Sequence, residues 1–159
     1  MIILGIDPGT ATTGFGIIEK KKTGDPIAVD FGVISTNKSF SDSERLFQLA
    51  EDLNLLIKKY KPKAMGVEKL FFETNQKTAM SVSQARGVVL YIGQAHRLPI
   101  FEYTPLQVKN RICGYGKAEK SQVQFMVKKT FGLNQIPKPD DAADALAIAL
   151  CAYYDQKLF

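Results

Sequence analysis

The sequence predicts an α/β fold: a five-stranded mixed sheet, part antiparallel and part parallel, with helices on both faces. Three observations predict it. Three apolar, β-branched runs open the chain and are joined by short turns, the pattern of an antiparallel meander. A fourth run is entered from a helix and so can lie parallel to the first. Helices then interrupt and follow the fifth run, giving the order βββ-α-β-α-β-α-α-α. No repeat, low-complexity tract or domain boundary appears in the 159 residues, so residues 1–159 are expected to form one domain.

Met1 to Asp7 reads as a buried strand ending on a lone acid, followed by the turn Pro8-Gly9. Gly14 to Glu19 is the second strand and Ile27 to Ser35 the third, with the polar turn 20–26 between them. Ser41 to Lys61 is a helix: Ser41 and Glu44 fit a capping box, and Leu46, Leu49, Leu53, Leu56, Ile57 and Tyr60 form one apolar stripe before Pro62 closes it. Lys63 to Leu70 is strand four. Thr74 to Arg97 is a long helix carrying the small residues Ala85, Gly87, Gly93 and Ala95. Pro99 to Tyr103 is strand five. Pro105 to Cys113 and Ala118 to Phe131 are shorter helices around the loop 114–117, and after Pro137-Lys-Pro139 an Ala-rich helix runs from Asp140 to Tyr154.

The net charge is +5 and the pI about 9.1. If acids gather in one site, the remaining surface is more basic still, which favours a polyanionic partner, nucleic acid first. Cys113 and Cys151 have no metal-like spacing and point to free thiols in a reducing compartment. The first apolar run is interrupted by Asp7 and is too short for a signal peptide or a membrane span, so a cytoplasmic protein with no membrane partner is expected.

The acids carry the chemistry. If strands one and four are parallel neighbours, Asp7 and Glu68 share one edge of the sheet. By strand alternation Gly5 shares a face with Asp7, and Gly66 with Glu68, leaving a shallow floor on which a helix packs closely. The terminal helix, with Ala142, Ala143, Ala145 and Ala147, has the surface for that floor. Asp141 and Asp144 are neighbours at i and i+3, and Asp140 and Asp144 at i and i+4, so spacing leaves the choice between Asp140 and Asp141 open. Helix capping accounts for Asp140 and Asp141 but poorly for Asp144, a full turn inside. An Asx turn before Pro-Gly accounts for Asp7, and an ion pair with Lys for Glu68, but only if each acid is taken singly. Together, such carboxylates repel each other and repel phosphate, so they need a hard cation, Mg²⁺ or Mn²⁺. Two such ions about 4 Å apart are a device for in-line phosphodiester hydrolysis, one activating water and one stabilising the leaving 3′ oxygen.

Leu4-Gly-Ile-Asp7-Pro-Gly9, Val67-Glu68-Lys-Leu-Phe71, Gln84-Ala-Arg-Gly87, Glu119-Lys-Ser-Gln-Val123 and Asp141-Ala-Ala-Asp144-Ala-Leu-Ala-Ile148 occur in order along almost the whole chain. In these motifs the chain resembles the RuvC family of Holliday junction resolvases. The resemblance implies an RNase H-like fold, a homodimer, and Mg²⁺- or Mn²⁺-dependent paired, symmetric cuts in a four-way DNA junction, in homologous recombination and DNA repair. It also implies work alongside the RuvA–RuvB branch-migration complex. The four catalytic, metal-binding acids it implies are Asp7, Glu68, Asp141 and Asp144, preferring Asp141 over Asp140. Some members carry His at the position of Asp141; this chain has the acid.

For DNA contact the candidates are Phe71, Phe72, Arg86, Lys109, Lys117 and Lys120. An aromatic beside the metal site can stack on a base exposed at the junction centre. Phe71 matches the family's stacking position and Phe72 supports it. Lys109 and Lys120 match family positions tied to activity, whereas Lys117, within the Gly114–Gly116 loop, does not. Arg86 falls in a matched motif that serves equally for DNA contact or structural pairing. Lone His96 reads as structural. Ile6 to Thr13 also resembles the phosphate hairpin of sugar and acetate-type kinases, but that fold pairs two such domains and this chain has length for one and no second Asp-Gly-Thr hairpin. A non-catalytic DNA-binding relative would not need all four acids, and a nuclease of the same fold acting on RNA or plain duplex is separated only by substrate assays.

Overall fold

The computed structural model describes residues 1–22, 25–69 and 76–155. Ten elements follow in the predicted order: β1 (Ile2–Asp7), β2 (Thr12–Glu19), β3 (Ile27–Ser35), α1 (Asp42–Tyr60), β4 (Ala64–Glu68), α2 (Gln76–Ala95), β5 (Ile100–Tyr103), α3 (Pro105–Cys113), α4 (Lys120–Phe131) and α5 (Asp140–Asp155). The sheet order is β3-β2-β1-β4-β5. β1, β2 and β3 are antiparallel, while β4 runs parallel to β1, and β5 to β4. The mixed sheet arises because turns join the first three strands and helices carry the chain back for the last two.

Helix ends follow local chemistry. Ser41 caps α1 reciprocally with Glu44, and Lys61 closes it in the left-handed region at φ 49° just before Pro62. Thr104 and Gln107 form a second capping box, with Pro105 in the first turn of α3. Predicted boundaries shift by a residue or two: β2 begins at Thr12, and α4 at Lys120 behind Glu119, whose amide donates to the Gln122 side chain at 2.7 Å. β4 ends at Glu68 and α2 begins at Gln76, with Leu70, Thr74 and Asn75 outside the described residues.

Strand alternation splits the core in two. Leu4, Ile6, Ile17, Met65 and Val67 face α1 and α2, where Leu49, Leu53, Ala85 and Val89 meet them. Ile3, Ile18 and Tyr103 face α3, α4 and α5. Under α5 the sheet carries glycine. Gly5 is in register with Gly16 on one side and Gly66 on the other, a three-glycine row across β2, β1 and β4, and Gly14 lies opposite Asp7. A Cβ at Gly5 would sit 2.1 Å from the Ala145 carbonyl oxygen, and one at Gly14 2.1 Å from that of Asp141. At Gly16 and Gly66 it would meet α5 backbone at 2.8 and 2.9 Å. Helix α5 therefore rests backbone against backbone on three strands. Gly5 and Gly66 were expected to clear this floor; Gly14 and Gly16 complete it.

Candidate active site

Three elements bring the acids together. Asp7 ends β1, Glu68 ends β4 alongside it, and α5 lays its first turns across both strand ends. Asp7, Asp141 and Asp144 each offer a carboxylate oxygen, all within 4.8 Å of one another. Glu68 joins the trio through a hydrogen bond shared with Asp7. Asp140 turns elsewhere: its carboxylate meets Lys138 at 3.0 Å and Lys120 at 3.7 Å. Geometry thus separates Asp141 from Asp140, which spacing alone left level.

The electrostatics are those of a crowded anion site. Burial pushes the Asp7 carboxyl up to about 9, and the charges of Glu68, Asp144 and Asp141 push the same way. Glu68 is pushed up to about 7 by burial and then by Asp144, against its hydrogen bond to Asp7 and the charge of Lys120. Burial raises Asp144 too, opposed by the Lys120 ammonium 3.0 Å from its Oδ2. Without a cation, some of these acids hold protons at neutral pH. A divalent ion displaces those protons and cancels the repulsion, so the donor set, all hard oxygen, fits such an ion.

Two threonines of the opening hairpin support the site. Thr12 donates from Oγ1 to Asp141 Oδ2 at 3.0 Å, tying β2 to α5. Thr13, buried, donates to the Gly9 carbonyl at 2.6 Å and accepts from the Gly9 amide at 3.3 Å, fixing the turn after Asp7. Sequence reasoning missed Thr12, because its partner is 129 residues away and no local pattern marks it. Thr13 had a signal in the Gly-Thr composition of the turn.

Beside the acids lies a cleft of about 240 Å³ lined by Glu68, Pro105, Val108, Lys109, Lys120 and Asp144. The structure therefore brings Lys109 and Lys120 to the acids. Lys117 is exposed in the loop between α3 and α4 and is not among the cleft residues. Arg86 is mostly buried: Nε donates to the Glu68 carbonyl at 3.0 Å, and the guanidinium pairs with Glu102. Phe71 and Phe72 lie outside the described residues. His96 hydrogen-bonds Asn54 Oδ1 at 2.7 Å, a structural contact away from the acids. Cys113 and Cys151 are free thiols.

The family model for "Crossover junction endodeoxyribonuclease RuvC" matches residues 3–152. A protein of that name from Syntrophomonas wolfei is 49% identical over 158 residues, spanning 99% of this chain and 91% of its own. Another from Halothermothrix orenii is 53% identical over 151 residues, spanning 95% and 91%. Among solved structures, Thermus thermophilus RuvC superposes with a TM-score of 0.90 at 32% identity, over 99% of this chain and 96% of that one.

Proposed function

Because the chain belongs to the RuvC family of crossover junction endodeoxyribonucleases, with its RNase H-like fold, we propose that Asp7, Glu68, Asp141 and Asp144 are the metal-binding acids through which it cuts. The protein is a metal-dependent endodeoxyribonuclease that resolves four-way DNA junctions by hydrolysing phosphodiester bonds in paired, symmetric cuts. One observation carries the site assignment: three carboxylates from two separate elements converge within 4.8 Å, with Glu68 hydrogen-bonded to one of them. We assign the ion as Mg²⁺, with Mn²⁺ able to replace it and two ions per site, on the hardness of the donor set. When bound, it supplies a water nucleophile at neutral pH and stabilises charge on the leaving oxygen.

The chain's own residues frame that chemistry. Lys120 and Lys109 stand on the cleft side of the acids, where an ammonium holds a phosphate oxygen and offsets charge as it builds. Lys117 serves as an outer phosphate contact. Phe71, close after Glu68 in sequence, is assigned to stacking on a base at the junction centre, with Phe72 supporting it.

T. thermophilus RuvC has also been solved in complex with Holliday junction substrate, and in that complex it superposes on this chain with a TM-score of 0.87 at 30% identity. Two symmetric cuts need two copies of the site, so the working form is a two-fold homodimer. The exposed face of α2 supports this. Met80, Gln84, Gly87 and Tyr91 follow at helical spacing, with Met80 and Tyr91 about three-quarters exposed, and a Cβ at Gly87 meets nothing. Gly93 and Ala85, grouped with Gly87 in sequence, instead face the protein's own core. We place this dimer beside the RuvA–RuvB branch-migration complex in recombination and repair. Among the described residues no helix is long and apolar enough to cross a membrane.

The test is cleavage of a mobile four-way junction with Mg²⁺ by wild type and Asp7→Asn. Wild type should nick symmetrically. The variant should bind the junction and cut it at least about 10²-fold more slowly, the scale of losing one group that stabilises transition-state charge. Normal cutting by the variant rules out the metal-site assignment; equal cutting of plain duplex or RNA rules out junction selectivity.

A further inference from the structure

Arg86 presents a contradiction if it is read as a DNA contact. It is an arginine in a matched motif close to the acids, yet its guanidinium is already engaged on two sides inside the protein. Its Nε donates to the Glu68 carbonyl at 3.0 Å, and a terminal nitrogen pairs with the Glu102 carboxylate. The side chain is only 20% exposed, and its charge is balanced where it stands.

The position of those contacts gives them meaning. The register of β4 with β1 runs as far as Ile6 opposite Val67 and stops one residue short of Glu68. On the other side the ladder continues: Glu68 is in register with Tyr103, and the Lys69 amide donates to the Tyr103 carbonyl at 2.7 Å. The Glu68 carbonyl is taken by α2, through Arg86. Glu102 is in register with Val67 and, by alternation, points to the α2 face, opposite to the Glu68 carboxylate. Arg86 therefore joins α2, β5 and the end of β4 at the residue whose side chain faces Asp7 and Asp144.

We propose that Arg86 is a positioning residue: with Glu102 as its counter-ion, it clamps the main chain at Glu68 and so sets where that carboxylate stands for metal. It makes no contact with DNA. A planar guanidinium suits this, because one fork reaches a carbonyl and a carboxylate at once. The assignment rests on Glu68 being a metal ligand, as proposed above.

The experiment pairs two readouts on the full-length protein. Mn²⁺ is titrated calorimetrically into metal-free wild type, Arg86→Gln, Glu102→Gln, the double variant and Glu68→Gln. Junction affinity is then measured against salt in the presence of Ca²⁺ in place of the catalytic ion. Arg86→Gln and Glu102→Gln should each weaken Mn²⁺ binding about 10–100-fold, the usual cost of losing a partner that orients a ligand, and the double variant should be no worse than the poorer single one. The slope of log affinity against log salt should stay unchanged. A lost phosphate contact would instead lower that slope by about 0.9 with Mn²⁺ binding intact, and that result overturns the proposal. Unchanged Mn²⁺ binding in both variants overturns it as well. If Arg86→Gln does not fold, Glu102→Gln decides alone, since a DNA-contacting Arg86 leaves no reason for Glu102 to affect metal. Glu68→Gln separates the layers: if it loses Mn²⁺ binding while the other two do not, the clamp fails and the ligand assignment stands. If it too binds normally, both fail.

Discussion

Asp7 sits at the centre of an unfavourable arrangement that a cation resolves. Its carboxyl is held near 9 and that of Glu68 near 7, both above the values near 4 of the unfolded chain. The folded, metal-free protein therefore binds more protons than the unfolded chain from about pH 4 up to these values. Its stability should fall as pH rises through about 7 for Glu68 and on towards about 9 for Asp7. If Mg²⁺ is the ion these acids hold, it removes this penalty, and the gain in Tm at fixed Mg²⁺ should grow between about pH 5.5 and 8.5, reaching about 5–10 °C at roughly 100-fold excess over Kd. Scanning calorimetry at several pH values checks this; a pH-independent gain would mean the acids are not what the ion meets. Thr12 carries a smaller prediction. Removing its hydroxyl in Thr12→Val frees Asp141 to rotate and should weaken Mg²⁺ binding about tenfold or more, while Thr12→Ser retains it. Isothermal titration of the two variants distinguishes a donor from mere bulk at this position.

At the scale of elements, α5 is the part that assembles the site, and glycine is what lets it approach. Gly5→Ala places a methyl 2.1 Å from the Ala145 carbonyl oxygen and 2.6 Å from the Ala149 amide, both main-chain atoms that no rotamer change can move aside. The expected cost is about 1–3 kcal/mol in urea unfolding, together with weaker metal binding as Asp141 and Asp144 are lifted from Asp7. Gly87→Ala, where nothing in the same chain lies within 4 Å, should leave metal binding unchanged, because it touches neither α5 nor the strands beneath it. Much of this element was legible in the sequence. The alternation of Gly5 with Asp7 and of Gly66 with Glu68, and the alanines of α5, are local patterns with direct physical readings. Gly14 and Gly16 were less visible: both lie within β2, and their place beneath α5 depends on how that strand pairs with β1. Asp141 against Asp140 depended on which side chain Lys138, two residues before Asp140, and Lys120, from α4, would capture, a fact that helical spacing does not contain. Arg86 was ambiguous for the same reason: its partners, Glu68 and Glu102, come from two other strands.

At the scale of the whole molecule, the two faces of the sheet divide the work. The α5 face carries the acids and the cleft; the α1 and α2 face carries the four most exposed large apolar side chains among the described residues. Phe47 and Leu55 on α1 stand 68% and 62% exposed, and Met80 and Tyr91 on α2 75% and 72%. If α2 forms the two-fold contact, Tyr91→Lys should place like charges face to face and convert dimer to monomer in light scattering at micromolar concentration. It should leave single-chain folding intact and reduce paired cutting to isolated nicks. A variant that remains dimeric would place the interface elsewhere. The separation of faces also explains why strand alternation, read from sequence, put Gly5 on one face with Asp7 and Gly66 with Glu68: each strand's odd and even residues belong to different layers.

The glycine row has a further consequence. Wherever side chains fill the space between a helix and a sheet, the distance between them follows the size and rotamer of those side chains. Here Ala145, Ile148 and Asp141 meet strand main chain with nothing interposed. The separation between α5 and the three strands beneath it is therefore set by main chain and not by the apolar side chains on the far side of the sheet. Residues such as Leu4, Ile17 and Leu53, packed on the opposite side of the sheet, are free to be exchanged for others of similar volume as a lineage adapts to heat or cold. Such exchanges should shift stability and leave the distance between α5 and the glycine row as it is.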